Sequence, residues 1–325
     1  MKKLYNVILV LAGFIILFFV IYKIGFLNVF SVFARASYSN FLFVLLFFSL
    51  SQLIRIGKWK IMSGIAKLET KTADIANFYF HTRILGMITP FRSGEIIPTF
   101  LEKEKDKFLS MTLADRFYES LTTIMVAVAA FVFLFSGVFQ KNFWPVIIFF
   151  ILVLVLFYVI FTVESVYLFF RSIAVRKKTF EKNNFVNKLV VFFDKLFIVI
   201  KKTLGIKNSA VLLFLTLTAT ILDVLVFKYI FEVVNIHTDI FGAATAFSFL
   251  SLVNFISPTP SGIGIGDAGY LSFSDKIGFA NGSQIASFLI LTRIASIAMI
   301  LFYILVISGY NKLNNEQHKR KSGLV

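Results

Sequence analysis

Long apolar runs dominate this chain, and polar residues come in short bursts between them. A helix that spans a bilayer needs about 20 mainly apolar residues. Leu4–Tyr22, Phe41–Gly57, Leu113–Gly137, Trp144–Phe170, Ala210–Phe231 and Gln284–Ser308 fit that pattern. Six spanning helices are therefore predicted, the third of them charged at its start. Two further apolar stretches are weaker. Ala73–Thr89 carries His81 and Arg83 and runs into Pro90, while Ile240–Ser257 is rich in Ala, Ser and Phe and runs into Pro258 and Pro260. Each is followed by a break with Gly and Ser. Irregular backbone at membrane depth survives only where protein or a water-filled cavity satisfies it. These two stretches are therefore read as re-entrant or broken helical hairpins that do not fully cross. The fold class that follows is an all-α integral membrane protein, one polytopic domain over residues 1–325.

Composition agrees. Of 325 residues 58% are hydrophobic and 43 are Phe, while only 15% are charged, below the usual quarter of a soluble protein. With no Cys, disulfides and thiolate metal sites are excluded, and three scattered His residues (His81, His237, His318) make a metal site or other cofactor unexpected. Lys2 and Lys3 before the first run resemble the start of a signal peptide, but the run is too long for one.

The net charge of +16 would suggest nucleic acid in a soluble protein. Its distribution says otherwise. With the N-terminus inside, segments 1–3, 55–71, 90–113, 171–208 and 309–325 hold 25 of the 33 Lys and Arg residues. Short cytoplasmic loops collect such charge. Both ends are therefore expected in the cytoplasm, in a bacterial or archaeal cytoplasmic membrane, and no nucleic-acid partner is needed. Within 171–208, Leu189, Phe193, Leu196 and Ile200 recur at helical spacing among Lys188, Lys195, Lys201 and Lys202. That reads as a basic amphipathic helix in the headgroup plane, in preference to a linker helix packed on the protein.

Two stretches echo each other. Ile88-Thr-Pro90-Phe-Arg92-Ser-Gly94-Glu95 and Ile256-Ser-Pro258-Thr-Pro260-Ser-Gly262-Ile263 each follow an apolar segment, with Pro90 opposite Pro258. Each leads to an Arg (Arg116, Arg293) in a long apolar helix that ends in Ser-Gly, at Ser136-Gly137 and Ser308-Gly309. Counting crossings makes the two units, about 41–138 and about 209–309, an inverted repeat, a recurring plan for transporters.

Four constellations carry candidate chemistry. Around Pro90 a helix stops, Gly94 permits a turn, and Arg92 offers a planar fork suited to phosphate, with Glu95 to pair with or orient it; an ordinary interfacial turn is the alternative. Asp115-Arg116 with Glu119 opens an apolar helix, either as a polar cavity wall or as charges snorkelling from its first turn. Arg293 lies deep in an apolar helix with Asp223 as its expected counter-charge, where ionisable residues mark function or a structural pair. Last, Gly264, Gly266 and Gly269 spell G-x-G-x-x-G, but after a membrane segment rather than a strand, which excludes a dinucleotide fold. A broken helix over Gly262 and Gly264 would instead present free N–H groups to an anionic headgroup, with Asp267 near the next helix cap.

Together, Pro90, Arg92, Gly94-Glu95, Arg116 and the Pro/Ser-Gly-Ile-Gly break with an acid resemble the lysylphosphatidylglycerol synthase transmembrane-region family, the flippase-like domain of multiple peptide resistance factors, over nearly the whole chain. Members often carry a second basic residue three after the Glu, where this chain has Pro98, and a later Glu where it has Asp267. No soluble transferase half is expected beyond Val325. The resemblance thus implies lipid translocation rather than synthesis, by a transporter rather than an enzyme. The cargo would be an anionic or zwitterionic glycerophospholipid, aminoacylated phosphatidylglycerol among them, or a polyprenyl-phosphate lipid. Arg92, Arg116 and Arg293 would meet phosphate, converging on one cavity; Glu95, Asp115, Glu119, Asp223 and Asp267 would orient them or accept a cationic group. The rivals are a membrane-embedded lipid transferase and a non-catalytic partner of a synthase or glycosyltransferase. Membrane lipids are the expected partners, with a homo-oligomer or such a synthase beside them.

Overall fold

A computed structural model describes residues 34–134, 205–276 and 280–321, with scattered positions from 22 to 31 and from 148 to 203. The predicted spans Leu4–Tyr22 and Trp144–Phe170, the Ser136-Gly137 helix end and most of 171–208 fall outside the described residues. Every described element is helical: α1 (Tyr38–Ile65), α2 (Thr72–Ile88), α3 (Lys105–Leu134), α4 (Ile206–Val233), α5 (Ile240–Ile256), α6 (Ile265–Lys276) and α7 (Gly282–Lys321). Tight 3-10 turns at Pro90–Phe100 and Pro260–Gly262 form a first and a second break.

Within α1 and α4, Ser39–Ile65 and Lys207–Val233 are long and apolar enough to cross a membrane. Only 22% and 28% of their most apolar stretches are buried in protein. The core helix of a soluble protein would hide most of its surface, whereas these expose Leu42, Leu53 and Phe214. Both contain runs expected to span. The other expected runs lie in helices with different limits. The helix around Leu113 starts eight residues earlier, at Lys105. The one around Gln284 continues through Ser308-Gly309 to Lys321, because a single mid-helix Gly costs only about 1 kcal/mol and helix formers follow it.

The weaker stretches form α2 and α5, each 17 residues. At 1.5 Å per residue that is about 25 Å, short of the ~30 Å hydrocarbon core. Their ends follow from proline. A residue before Pro is pushed out of the helical region, and Thr89, Ser257 and Thr259 are all extended. The start of α5 is capped by Asp239, which accepts from the Gly242 N–H at 2.8 Å.

The chain divides into two compact units. One comprises Met1–Ser49, Thr70–Pro98 and Val224–Val325; the other comprises Leu50–Glu69 and Thr99–Asp223. The first is packed largely by aromatic rings. Phe231 stacks on Phe288 at 3.9 Å, Phe249 on Phe273 at 5.0 Å, and Phe80 of α2 on Tyr303 of α7 at 4.6 Å. Part of the Phe content thus serves helix packing as well as the lipid face. In the second unit Trp59, Met62, Met111, Tyr118 and Leu212 are fully buried. Ile200, expected on a lipid-facing stripe, is also fully buried. Nearby, the Tyr118 hydroxyl donates to the Thr203 carbonyl at 3.2 Å. The described end of the 171–208 segment therefore packs on protein.

Candidate functional site

The first unit brings the two breaks together. The Phe91 N–H donates to the Ser257 carbonyl at 3.1 Å, and the Ser261 hydroxyl donates to the Met87 carbonyl at 2.9 Å. Met87 lies in the last turn of α2 and Ser257 just past α5, so each break satisfies a carbonyl at the end of the other's helix. Such carbonyls have no partner within their own helix.

The backbones of the breaks match. After Pro90, Phe91 and Arg92 both have φ 54°; after Pro260, Ser261 has φ 49° and Gly262 φ 69°. Left-handed geometry costs a non-Gly residue roughly 1–2 kcal/mol, so these three side chains sit in conformations that the surroundings enforce. The match sets Pro90 opposite Pro260, two residues from the pairing that the sequence suggests. Arg92 then stands opposite Gly262, and the second break carries no cation of its own.

α7 supplies that cation. Arg293 Nε donates to both Asp267 oxygens at 3.1 and 3.3 Å, Nη2 donates to Asp267 Oδ1, and Nη1 donates to the Ser261 carbonyl at 2.7 Å. Asp267, with no exposure, also accepts from the Gly264 N–H at 2.8 Å. This is the back-reaching half of a capping box at the start of α6. The N–H group expected to receive an anionic headgroup there is held by the protein's own carboxylate. Gly262 is needed twice over: it has positive φ, and a methyl would overlap Asn254 Oδ1.

In the first break, Arg92 Nε donates to Glu95 Oε1 at 2.8 Å, and the guanidinium lies 5.7 Å from the centre of the Phe255 ring. Glu95 is buried in space left by Gly86, where a methyl would overlap its side chain. Gly94 lies against the Leu85 carbonyl, and its N–H donates to the Thr89 hydroxyl at 2.7 Å. Gly86→Ala should therefore displace Glu95 and release Arg92. Its effect on the thermal midpoint should match that of Glu95→Ala, with little further loss in the double variant; additive losses would show that Gly86 acts elsewhere.

The second unit holds the other four residues singled out from sequence, together with Arg55 and Lys58. Arg55 donates to Glu119 through Nη1 and to Asp223 through Nη2, the latter at 2.5 Å. Arg116 donates to Glu119 at 2.6 Å, and Ser51 donates to Asp223, also at 2.6 Å. Lys58, wholly buried, pairs with Asp115 at 2.5 Å and donates to Thr216 at 3.1 Å. Among the described residues, three cations thus face three carboxylates. Asp223, expected to face Arg293, faces Arg55 because both lie on apolar helices of one unit, each needing a partner. Arg55 and Lys58, which the charge pattern places in a cytoplasmic segment, are instead buried charges of α1. Likewise Arg116 does not open its helix; it sits about three turns inside α3.

Of the ten residues singled out from sequence, Arg92, Glu95, Gly262, Gly264, Asp267 and Arg293 lie in the first unit, and Asp115, Arg116, Glu119 and Asp223 in the second. Two long apolar helices mostly unburied by protein, two shorter ones that end in breaks, and charges paired internally fit an α-helical membrane protein. A family model for the lysylphosphatidylglycerol synthase TM region matches residues 6–303, and the chain belongs to that family. No curated protein and no solved structure matches it.

Proposed function

We propose that this protein moves a phosphate-bearing lipid between the leaflets of a membrane. The cargo is a phospholipid, aminoacylated phosphatidylglycerol among the candidates, or a polyprenyl-phosphate lipid. The observation that carries this reading is the pair of mutually capped helix breaks, the first of which presents an arginine held by a buried carboxylate. Broken helices that place backbone ends and charges inside a membrane domain recur at transporter substrate sites. Family membership supports a lipid-related role. The matching left-handed turns after Pro90 and Pro260 support the reading of α2–α3 and α5–α7 as related units of an inverted repeat. A lipid transferase would need a base and an activated nucleophile within reach, and among the described residues neither break brings a His to its arginine.

Translocation is tested with purified full chain in liposomes holding a headgroup-labelled phospholipid, bleached by an impermeant reductant. Protein-free vesicles stop when the outer leaflet is consumed. Vesicles with the protein should bleach beyond that point, in proportion to protein; bleaching equal to the protein-free control, for both phospholipid and polyprenyl-phosphate probes, would refute the proposal.

A further inference from the structure

We infer that Arg92, and not Arg293, is the group that binds the phosphate of a membrane lipid, and that Arg293 is a structural clasp. This rests on the translocation reading for its purpose but not for its geometry.

The two arginines differ in what they have left to give. A guanidinium carries five N–H donors in a fixed fork. All three nitrogens of Arg293 are engaged by Asp267 and the Ser261 carbonyl. Arg92 uses only Nε, on Glu95. Among the described residues its two terminal nitrogens have no hydrogen-bond partner, and its side chain is 23% exposed. Glu95 holds the inner edge of the fork and Phe255 lies across one face, so the free edge is oriented before any ligand arrives. That edge matches two oxygens of a phosphate bidentately, as a lysine cannot.

The surroundings select the source of the phosphate. Ile88, Phe91 and Ile97 flank the Arg92 break and are about half exposed. Free phosphate gains nothing from that flank, whereas a lipid covers it with acyl chain while its headgroup meets the guanidinium. The left-handed conformation of both Phe91 and Arg92 fits this arrangement, since strained backbone recurs at ligand clamps. The occupant is therefore an anionic phosphodiester lipid that enters from the bilayer.

The test measures retention of phosphatidylglycerol and of diacylglycerol by the delipidated full chain, using native mass spectrometry. Arg92→Gln should weaken phosphatidylglycerol retention about tenfold or more, the loss expected for a charge-assisted bidentate pair. Diacylglycerol retention should not change, and Arg92→Lys, which keeps the charge and covers any folding failure of the Gln variant, should fall between. Added inorganic phosphate should not displace the lipid. Equal phosphatidylglycerol retention in wild type and both variants would overturn the assignment, and so would displacement by inorganic phosphate. Binding is read without translocation. A wild type that retains lipid through Arg92 but never flips it removes the translocation reading and leaves this site; a wild type that flips lipid while the variants retain it normally removes this site alone.

Discussion

Lys58→Met is expected to cost about 3–5 kcal/mol of stability, and adding Asp115→Asn should recover most of it. Removing one partner of a buried ion pair strands the other charge, a penalty of that size, whereas removing both charges is often neutral. Lys58 has no solvent exposure and its Asp115 partner almost none. Among the described residues, the network of Arg55, Lys58, Arg116, Asp115, Glu119 and Asp223 carries three charges of each sign. The single variant leaves it one charge in excess; the double variant restores balance, and Asn keeps hydrogen-bonding capacity. Thermal midpoint and monodisperse fraction in detergent read both effects. A Lys58→Met protein as stable as wild type would show that the network does not hold the unit together, and a double variant no better than the single would show that Lys58 acts through something other than its pair.

The network leaves a regular trace in the sequence. Ser51, Arg55 and Lys58 recur at i, i+4 and i+7, and so do Asp115, Glu119 and Thr122, and Thr216, Thr220 and Asp223. Three helices thus carry one polar stripe each at the same spacing, which puts every stripe on a single helix face. The apolar runs Phe41–Gly57 and Leu113–Gly137 place Arg55 and Asp115 close to a run's end, where they read as interfacial charges, whereas the helices continue well beyond those ends, to Ile65 and back to Lys105, and enclose them. The pairing was legible in kind but not in detail: periodicity places a charge on a face, while the partner depends on how helices pack.

The breaks were legible for a different reason. Proline acts on the residue before it whatever the tertiary context, so the ends of α2 and α5 could be placed within a residue or two. What the breaks do to each other could not be read. Reciprocal capping depends on two segments more than 160 residues apart, and the equivalence of Pro90 with Pro260 rests on backbone angles that the side chains obscure. Arg in one αL position and Gly in the other share little as residues, yet they occupy the same conformation.

The second large effect is expected at Arg293. The sequence pattern groups Arg293 with Arg92 and Arg116 as phosphate ligands, which would make Arg293→Ala a well-folded protein that cannot transport. The hydrogen bonds argue for the opposite outcome. Without Arg293, buried Asp267 keeps, among the described residues, the Gly264 N–H alone, the Ser261 carbonyl loses its donor, and α7 loses its hydrogen bonds to the second break. An uncompensated buried carboxylate costs about 3–5 kcal/mol, so Arg293→Ala should lower the thermal midpoint and the yield of monodisperse protein sharply. The molecules that still fold should translocate lipid at close to the normal rate. Arg293→Lys should recover part of the stability, because one ammonium can meet Asp267 but does not reproduce the fork that also reaches Ser261. Exchanging the charges, with Asp at 293 and Arg at 267, should not rescue, since an arginine at 267 cannot accept from the Gly264 N–H that starts α6. Midpoint, yield and rate per folded molecule, measured on the same preparations, separate the two roles. A stable Arg293→Ala protein without translocation would return Arg293 to the lipid path.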